Sequence, residues 1–323
     1  MSVLVTGGLG FIGSHYVKLL AEKGEDVIIF DKLTYAGNIE NLAGVDGSKY
    51  SLEIIDIADA EALIAGFKKY TKIETVVNFA AESHVDRSIE NSQLFIESNI
   101  KGTANLLDLL KDNIFEKLVQ ISTDEVYGSI ELGSWNENSL IQPRSPYSAS
   151  KASADLLCLA YKNTFGLNIV ITRCSNNYGP NQSLEKFIPT IIFSLLNNRK
   201  VPVYGNGLNR REWIHVQDHI SAIYLLMKAP STNQSIYNIG GIEKNNLEIA
   251  LKISGYFNQN ESCIEFVQDR KGHDLRYALD FNGIQNEFSW KPKIDLEDGL
   301  ISTVDWYRNN PDWVITSHRA AIK

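Results

Sequence analysis

Cysteine is nearly absent from this chain. The three that occur, Cys158, Cys174 and Cys263, are an odd, scattered set without CxxC spacing, which argues against a disulfide framework or a zinc site and for buried free thiols. Long apolar runs are missing as well: none approaches the roughly 20 residues that span a bilayer. Met1 is followed by a short apolar stretch and glycines rather than a basic leader, so a cytoplasmic protein is expected. Nor is there an excess of positive charge. Lys and Arg number 31 against 39 Asp and Glu, a net charge of −8, which speaks against nucleic acid as a partner. Repeats, low-complexity tracts and charge blocks are absent too, which leaves no linker between independent modules. What remains, 323 residues with 44% hydrophobic content, suffices for a substantial core in one large domain or two smaller ones sharing an interface.

The apolar residues come in short runs separated by amphipathic stretches. Val3 to Val5, Val27 to Phe30, Leu52 to Ile55, Thr75 to Phe79, Lys117 to Ser122 and Asn168 to Arg173 read as strands; Phe11 to Glu22, Ala60 to Lys69, Phe95 to Leu110 and Ser148 to Phe165 read as helices. Repeated strand-helix units predict a parallel sheet with helices on both faces, because parallel strands need crossover connections. The rhythm breaks after Arg173. Asn176 to Pro189 is rich in Asn, Gly and Pro, and the rest mixes short strands, helices and turns.

Between the first strand and first helix, Gly8, Gly10 and Gly13 form G-x-G-x-x-G, with Gly7 just before. That pattern in that context serves a tight turn, a close approach of backbone to a pyrophosphate, and a helix N-terminus that receives its charge. Asp31 ends the second strand, where a carboxylate reaches ribose hydroxyls and repels a 2′-phosphate, which favours NAD over NADP. Lys32, Leu33, Thr34 and the residues to Asn38 suit the adenine end, as do Asp56 and Ile57 after the third strand; Ala80 and Ala81 follow the fourth. The expected fold class is therefore α/β, a Rossmann-like doubly wound parallel sheet over residues 1–175, with about 211–230 returning to it. Residues 176–323 are expected to form mainly a smaller C-terminal α/β substrate lobe.

Tyr147 and Lys151 lie one helical turn apart at the start of a helix, on one face. A phenol becomes a usable base only if something favours the phenolate, and a neighbouring ammonium does so. With Ser122-Thr123 at the end of a strand, the pair resembles the extended short-chain dehydrogenase/reductase superfamily, in which Tyr, Lys and a Ser or Thr mediate hydride transfer. Asp124 and Glu125 follow at once, and adjacent carboxyls at a strand's carboxyl end can divide acid and base work.

The segments STDEVYG (122–128), AAESHVDRSI (80–89), YSASKASAD (147–155), RCSNNYGP (173–180), EKFIP (185–189) and YNIGG (237–241) together resemble the dTDP-glucose 4,6-dehydratase family over most of the chain. Sugar-nucleotide epimerases share the glycines and the Tyr/Lys pair but usually lack Asp-Glu. The resemblance implies catalytic roles for Thr123, Asp124, Glu125, Tyr147 and Lys151. It adds Phe11, Ile12, Ser83, Ser98 and Asn177 to the NAD contacts. For a nucleotide sugar it implies Ser83, His84, Thr123, Asn176, Lys186, Pro202, Val203, Tyr204, Arg211, Asn246, Asp269, Arg270 and His273. It further implies a homodimer packed through the helices around 95–110 and 147–165. No metal is expected, and His84 and His215 are read as hydrogen-bonding residues. Arg211-Glu212-Trp213, His215-Val216-Gln217-Asp218 and Lys271 depart from the family's usual residues around the nucleotide end, which leaves the base open between dTDP and UDP. A UDP-sugar epimerase or decarboxylase on the same fold and a non-catalytic NAD-binding regulator are the alternatives.

Overall fold

The first half of the chain alternates strand and helix because its apolar runs are too short for buried helices and are spaced by stretches with one apolar face. A computed structural model, describing residues 1–269 and 273–322, gives β1 (Ser2–Thr6), α1 (Phe11–Glu22), β2 (Asp26–Asp31), β3 (Tyr50–Ile54), α2 (Ala60–Phe67), β4 (Thr75–Asn78), α3 (Val85–Glu90), α4 (Gln93–Phe95), α5 (Gly102–Lys111), β5 (Lys117–Thr123), α6 (Pro146–Phe165) and β6 (Ile169–Cys174). Then follow β7 (Asn176–Tyr178), α7 (Phe187–Leu196), β8 (Val201–Tyr204), β9 (Arg210–His215), α8 (Val216–Lys228), β10 (Ile236–Ile239), β11 (Ile242–Asn245), α9 (Asn246–Gly255), β12 (Ile264–Val267), α10 (Asn282–Phe288), α11 (Leu296–Asn309) and α12 (Pro311–Ile322).

The large sheet is parallel throughout, in the order β10-β6-β5-β4-β1-β2-β3, which is the Rossmann-like architecture the alternation predicts. Its central strands are apolar on both faces: Val3 and Val5 pack into one cluster with Tyr16, Val216 and Ile220, whereas Leu4 packs into another with Leu63, Leu106 and Ile171. The strand order reverses between β1 and β4, so the carboxyl ends of these two strands splay open into a ligand crevice. A second lobe stands over that crevice. It holds a three-stranded sheet, β11-β9-β7, and a two-stranded one, β12-β8, packed with α7, α9, α11 and α12 around Ile191, Ile249, Leu300 and Trp313. The second half of the chain also supplies β10 to the large sheet, and α8 packs on α1.

One expected helix is not continuous. The Phe95–Leu110 pattern is interrupted at Ile96–Lys101 by a wider π-helical turn before α5 begins. There Asn99 turns inward, accepting from Glu82 N at 2.9 Å and donating to Glu82 O at 3.1 Å and to Ser150 Oγ at 2.8 Å. The turn thus ties the strand-end loop after β4 to α6, a use typical of π-bulges beside functional sites.

Candidate active site

The glycine loop between β1 and α1 is shaped by two close approaches. Gly7 has φ +67°, and a Cβ there would lie 2.7 Å from the Ala80 amide nitrogen at the end of β4; a Cβ on Gly13 would lie 2.2 Å from the Gly7 carbonyl. Only glycine lets the loop, the helix and the neighbouring strand end come together this closely. The space so made is a cleft of about 570 Å³, lined by Gly7, Gly10, Phe11, Ile12, Gly13, Thr34, Ala81, Ser83, Tyr147, Lys151 and Asn177 among the expected cofactor residues. Its dimensions, its glycine floor and the helix N-terminus at its edge fit a dinucleotide.

The other expected cofactor residues stand behind this lining. Asp31 accepts from Leu9 N at 3.0 Å and Leu33 N at 2.9 Å, one bond to each carboxylate oxygen, so it organises the loop and keeps lone pairs for ribose hydroxyls. Lys32 donates to Ser98 Oγ at 2.7 Å and approaches Asp56 and Glu82 at 3.6 and 3.7 Å. Leu33 is exposed with φ +53°, while the Ile57 side chain is buried in the core and Ala80 packs against it. None of these seven (Asp31, Lys32, Leu33, Asp56, Ile57, Ala80, Ser98) lines the cleft with its side chain.

At the carboxyl end of β5 the chain turns into a single 3₁₀ turn, Asp124–Tyr127. Thr123 caps it: its Oγ1 accepts from Glu125 N at 3.3 Å and donates to Asp124 Oδ1 at 3.1 Å. Asp124 Oδ2 is buried with no partner among the described residues. Burial foremost, then the negative charges of Glu125 and Glu212, push the Asp124 carboxyl well above the usual carboxylate range, so its surroundings favour the protonated form.

Tyr147 and Lys151 sit in the first turns of α6, whose entry is set by a reciprocal Ser145–Ser148 capping box and Pro146. Tyr147 N donates to Ser88 Oγ at 3.1 Å, and its ring meets Phe95 edge-on. Burial, then the Glu125 carboxylate, raise its phenol well above the ordinary tyrosine value, while Thr123 lowers it through a hydrogen bond. Lys151 donates to Ile121 O at 2.5 Å, and burial lowers its ammonium. The ammonium thus faces the strand end, and the charge acting most strongly on the phenol is Glu125. Beneath them a fully buried ion pair, Asp155–Arg173 at 2.8 Å, joins α6 to β6, with Arg173 lying over the Tyr127 ring.

A second cleft of about 330 Å³ opens between the lobes. His84, Asn176, Pro202, Tyr204, Arg211, Asn246 and His273 line it, as the resemblance implies; Ser83, Thr123 and Lys186 line the dinucleotide cleft instead, which His84 and Asn176 also border. Val203 does neither: β8 alternates, so Pro202 and Tyr204 face the cleft while the Val203 side chain is buried in the core of the lobe. Asp269 lies behind, bonded to His273 Nδ1 at 2.7 Å, and Arg270 lies outside the described residues. Arg211 is less free than a bare guanidinium, because it donates to the carbonyls of Asp274 at 2.8 Å, Arg210 at 2.7 Å and Leu275 at 3.4 Å. His84 and His215 cap α3 and α8 through Nδ1, accepting from Arg87 N and Gln217 N.

Several lining residues carry no sequence assignment. Arg144 reaches the second cleft and pairs with Asp274 at 2.9 Å, and Tyr277 donates to the same carboxylate at 2.5 Å. Glu185 borders both clefts and pairs with Arg87 at 3.3 Å. Arg144, in the proline-bracketed loop before Tyr147, and Glu185, inside EKFIP, were open to assignment from their neighbours. Asp274 and Tyr277 carry no local signal.

The Glu125 side chain is the seam. It lines the dinucleotide cleft together with Thr123, Asp124, Tyr147 and Lys151, and it lines the second cleft as well. A phenol and two carboxyls, one of them raised by burial, therefore share one space where a nicotinamide and a sugar could meet.

Comparison with known proteins agrees with this arrangement. A family profile described as GDP-mannose 4,6 dehydratase matches residues 4–303. A dTDP-glucose 4,6-dehydratase of Streptomyces griseus is 47% identical over 317 residues, 96% of this chain and 95% of that protein. The crystal structure of DesIV, a dTDP-glucose 4,6-dehydratase from Streptomyces venezuelae solved as a double mutant with NAD bound, superposes with a TM-score of 0.94 at 45% identity, over 98% of this chain and 100% of that one. A UDP-glucose 4-epimerase from Thermus thermophilus, also in complex with NAD, shares the fold at a TM-score of 0.87 but only 30% identity, over 95% and 99% of the two chains. With the Asp-Glu pair in place and identity to the dehydratases well above that to the epimerase, this chain belongs to the dTDP-glucose 4,6-dehydratase family.

Proposed function

We propose that the protein is an NAD-dependent lyase that removes water from a nucleoside-diphosphate hexose, taking dTDP-glucose to dTDP-4-dehydro-6-deoxyglucose. NAD, held by the glycine loop, Thr34, Ser83, Lys151 and Asn177, supplies a hydride acceptor for carbon 4 and later a hydride donor for carbon 6. Tyr147 takes the proton of the carbon 4 hydroxyl, whose oxygen Thr123 hydrogen-bonds, once the positive charges of bound NAD⁺ and Lys151 offset the burial and the Glu125 carboxylate that raise its phenol. The resulting ketone acidifies the hydrogen on carbon 5, and Glu125 removes it as general base. Asp124, protonated because burial and two neighbouring carboxylates disfavour its charge, donates to the departing carbon 6 hydroxyl. NAD is regenerated within each turnover, so it has to stay bound between the two hydride transfers.

The observation that supports this reading most is the position of Glu125 on both clefts beside Asp124, whose carboxyl burial raises. An epimerase needs only the hydride step and has no use for a second acid-base pair. The nucleotide end is assigned to Arg211, Asn246 and His273, with Arg144 close by. Incubating the purified protein with dTDP-glucose and with UDP-glucose, and identifying products by mass and NMR, tests the proposal. A 4-keto-6-deoxy product from dTDP-glucose, 18 mass units lighter by loss of one water, is expected; a product differing only in stereochemistry would refute it.

The reading extends to a cytoplasmic homodimer. Buried free thiols suit a reducing compartment. Leu94, Ile96 and Leu156 are exposed apolar side chains on neighbouring helical segments around α5 and α6, the face a second copy would cover. A monomeric mass at micromolar concentration would contradict the dimer.

A further inference from the structure

One wall of the dinucleotide cleft comes from the far end of the sequence. Trp313, Thr316 and Ser317, on α12, face the same space as Gly10 and Asn38. Trp313 is buried against Trp306 and Tyr307, and its indole Nε1 donates to Asn41 Oδ1 at 2.8 Å. Asn41 in turn donates through Nδ2 to Leu9 O at 2.9 Å. The same carbonyl accepts from Asn38 N at 3.0 Å, and Leu9 N donates to Asp31 at 3.0 Å.

Leu9 stands between Gly8 and Gly10, so these bonds hold the peptide groups that shape the phosphate turn. One side is held from the end of β2. The other is held through Asn41, whose amide is oriented by an indole on the last helix. A phenylalanine could fill the hydrophobic site of Trp313, but it could not fix the Asn41 amide, because only the indole carries the N–H. Hydrogen bonds between buried groups in a fully satisfied chain set geometry as well as stability.

We infer that α12 is a clamp of the dinucleotide site: Trp313 acts as a positioning residue that sets the glycine loop through Asn41, and the Thr316–Ser317 turn closes the cleft against the bound dinucleotide. This inference rests on the NAD reading above and adds to it a contribution from the C-terminal helix. The clamp slows release of a cofactor that must remain bound between its two hydride transfers.

The test uses the full-length protein as purified, with NAD per chain measured after gel filtration and denaturation, and the release rate measured by chase with labelled NAD. Trp313→Phe should release NAD roughly 10-fold faster, the scale of one lost buried hydrogen bond. A Thr316→Ala, Ser317→Ala double variant, altered on a helix face that is exposed or half-exposed, should also release it faster. Affinity for thymidine diphosphate, which probes the other cleft, should be unchanged in both. If wild type carries no nicotinamide, the NAD reading itself fails. If wild type retains NAD and both variants release it at the wild-type rate, the clamp is overturned. Equal weakening of thymidine diphosphate and NAD binding in Trp313→Phe would reduce Trp313 to a structural residue and overturn its positioning role.

Discussion

Asp124 and Glu125 are neighbours in sequence with opposite surroundings. Asp124 is 2% exposed, with one oxygen held by Thr123 and the other without a partner among the described residues, whereas Glu125 reaches into both clefts. Burial raises the Asp124 carboxyl, whereas Glu125 borders the space in which a substrate would lie. Glu125→Gln should therefore allow slow oxidation at carbon 4 while abolishing exchange of the carbon 5 hydrogen, read by deuterium incorporation in heavy water. Exchange at the normal rate would remove Glu125 from the role of base. Asp124→Asn preserves shape but has no acidic proton, so elimination should slow by about 10²–10⁴-fold, the usual worth of a positioned general acid. Single-turnover traces that separate oxidation from elimination check this, and an unchanged elimination step would reassign the acid.

At the scale of elements, the site depends on α6 keeping its place against β5 and β6. Lys151 and Asp155 lie one turn apart on its inner face, and Asp155 pairs with Arg173 of β6 where neither side chain meets water. Replacing the whole pair by apolar groups need not destabilise, but removing one partner strands a buried charge. Asp155→Ala should therefore lower stability by about 3–5 kcal/mol, measured by urea unfolding of the wild type and variant. A loss below about 1 kcal/mol would mean that water or a neighbouring group takes over the Arg173 charge. The helix pattern of the sequence legibly placed Tyr147 and Lys151 on one face. It could not place the π-helical turn at Ile96–Lys101, because that turn answers to Glu82 and Ser150, which lie on other elements.

Across the whole molecule, buried titratable groups couple folding to pH in opposite directions. Burial lowers His15 from 6.5 to about 4, where it bridges Pro180 O and Gln217. Below pH 6.5 the unfolded chain binds a proton that the folded chain refuses until about pH 4, so this group erodes stability as pH falls through that window. Glu212 behaves in the reverse sense, since burial raises it from 4.5 to about 7. The folded chain holds a proton that the unfolded one has lost, and its contribution is present below pH 4.5 and vanishes as pH rises to about 7. Glu212→Gln keeps an oxygen for Leu279 N and removes the ionisation, so stability between pH 5 and 8 should fall less steeply than in wild type, by on the order of 3 kcal/mol across the window. Parallel unfolding curves for the two proteins at each pH would sink this assignment.

By itself the sequence determined the parallel sheet, the glycine turn and the residues that converge on its crevice. These rest on local periodicity and on spacings of a few residues, and short-range geometry translates such spacings directly into shared faces and strand ends. Tertiary structure alone raised the Asp124 carboxyl, because the burial that does so foremost is made by distant segments. It also decided that Arg211 spends donors on backbone carbonyls, that Val203 turns inward while its neighbours face the cleft, and that Trp313 reaches the glycine loop through Asn41. Desolvation and long-range hydrogen bonding are sums over neighbours that the linear order of residues does not contain.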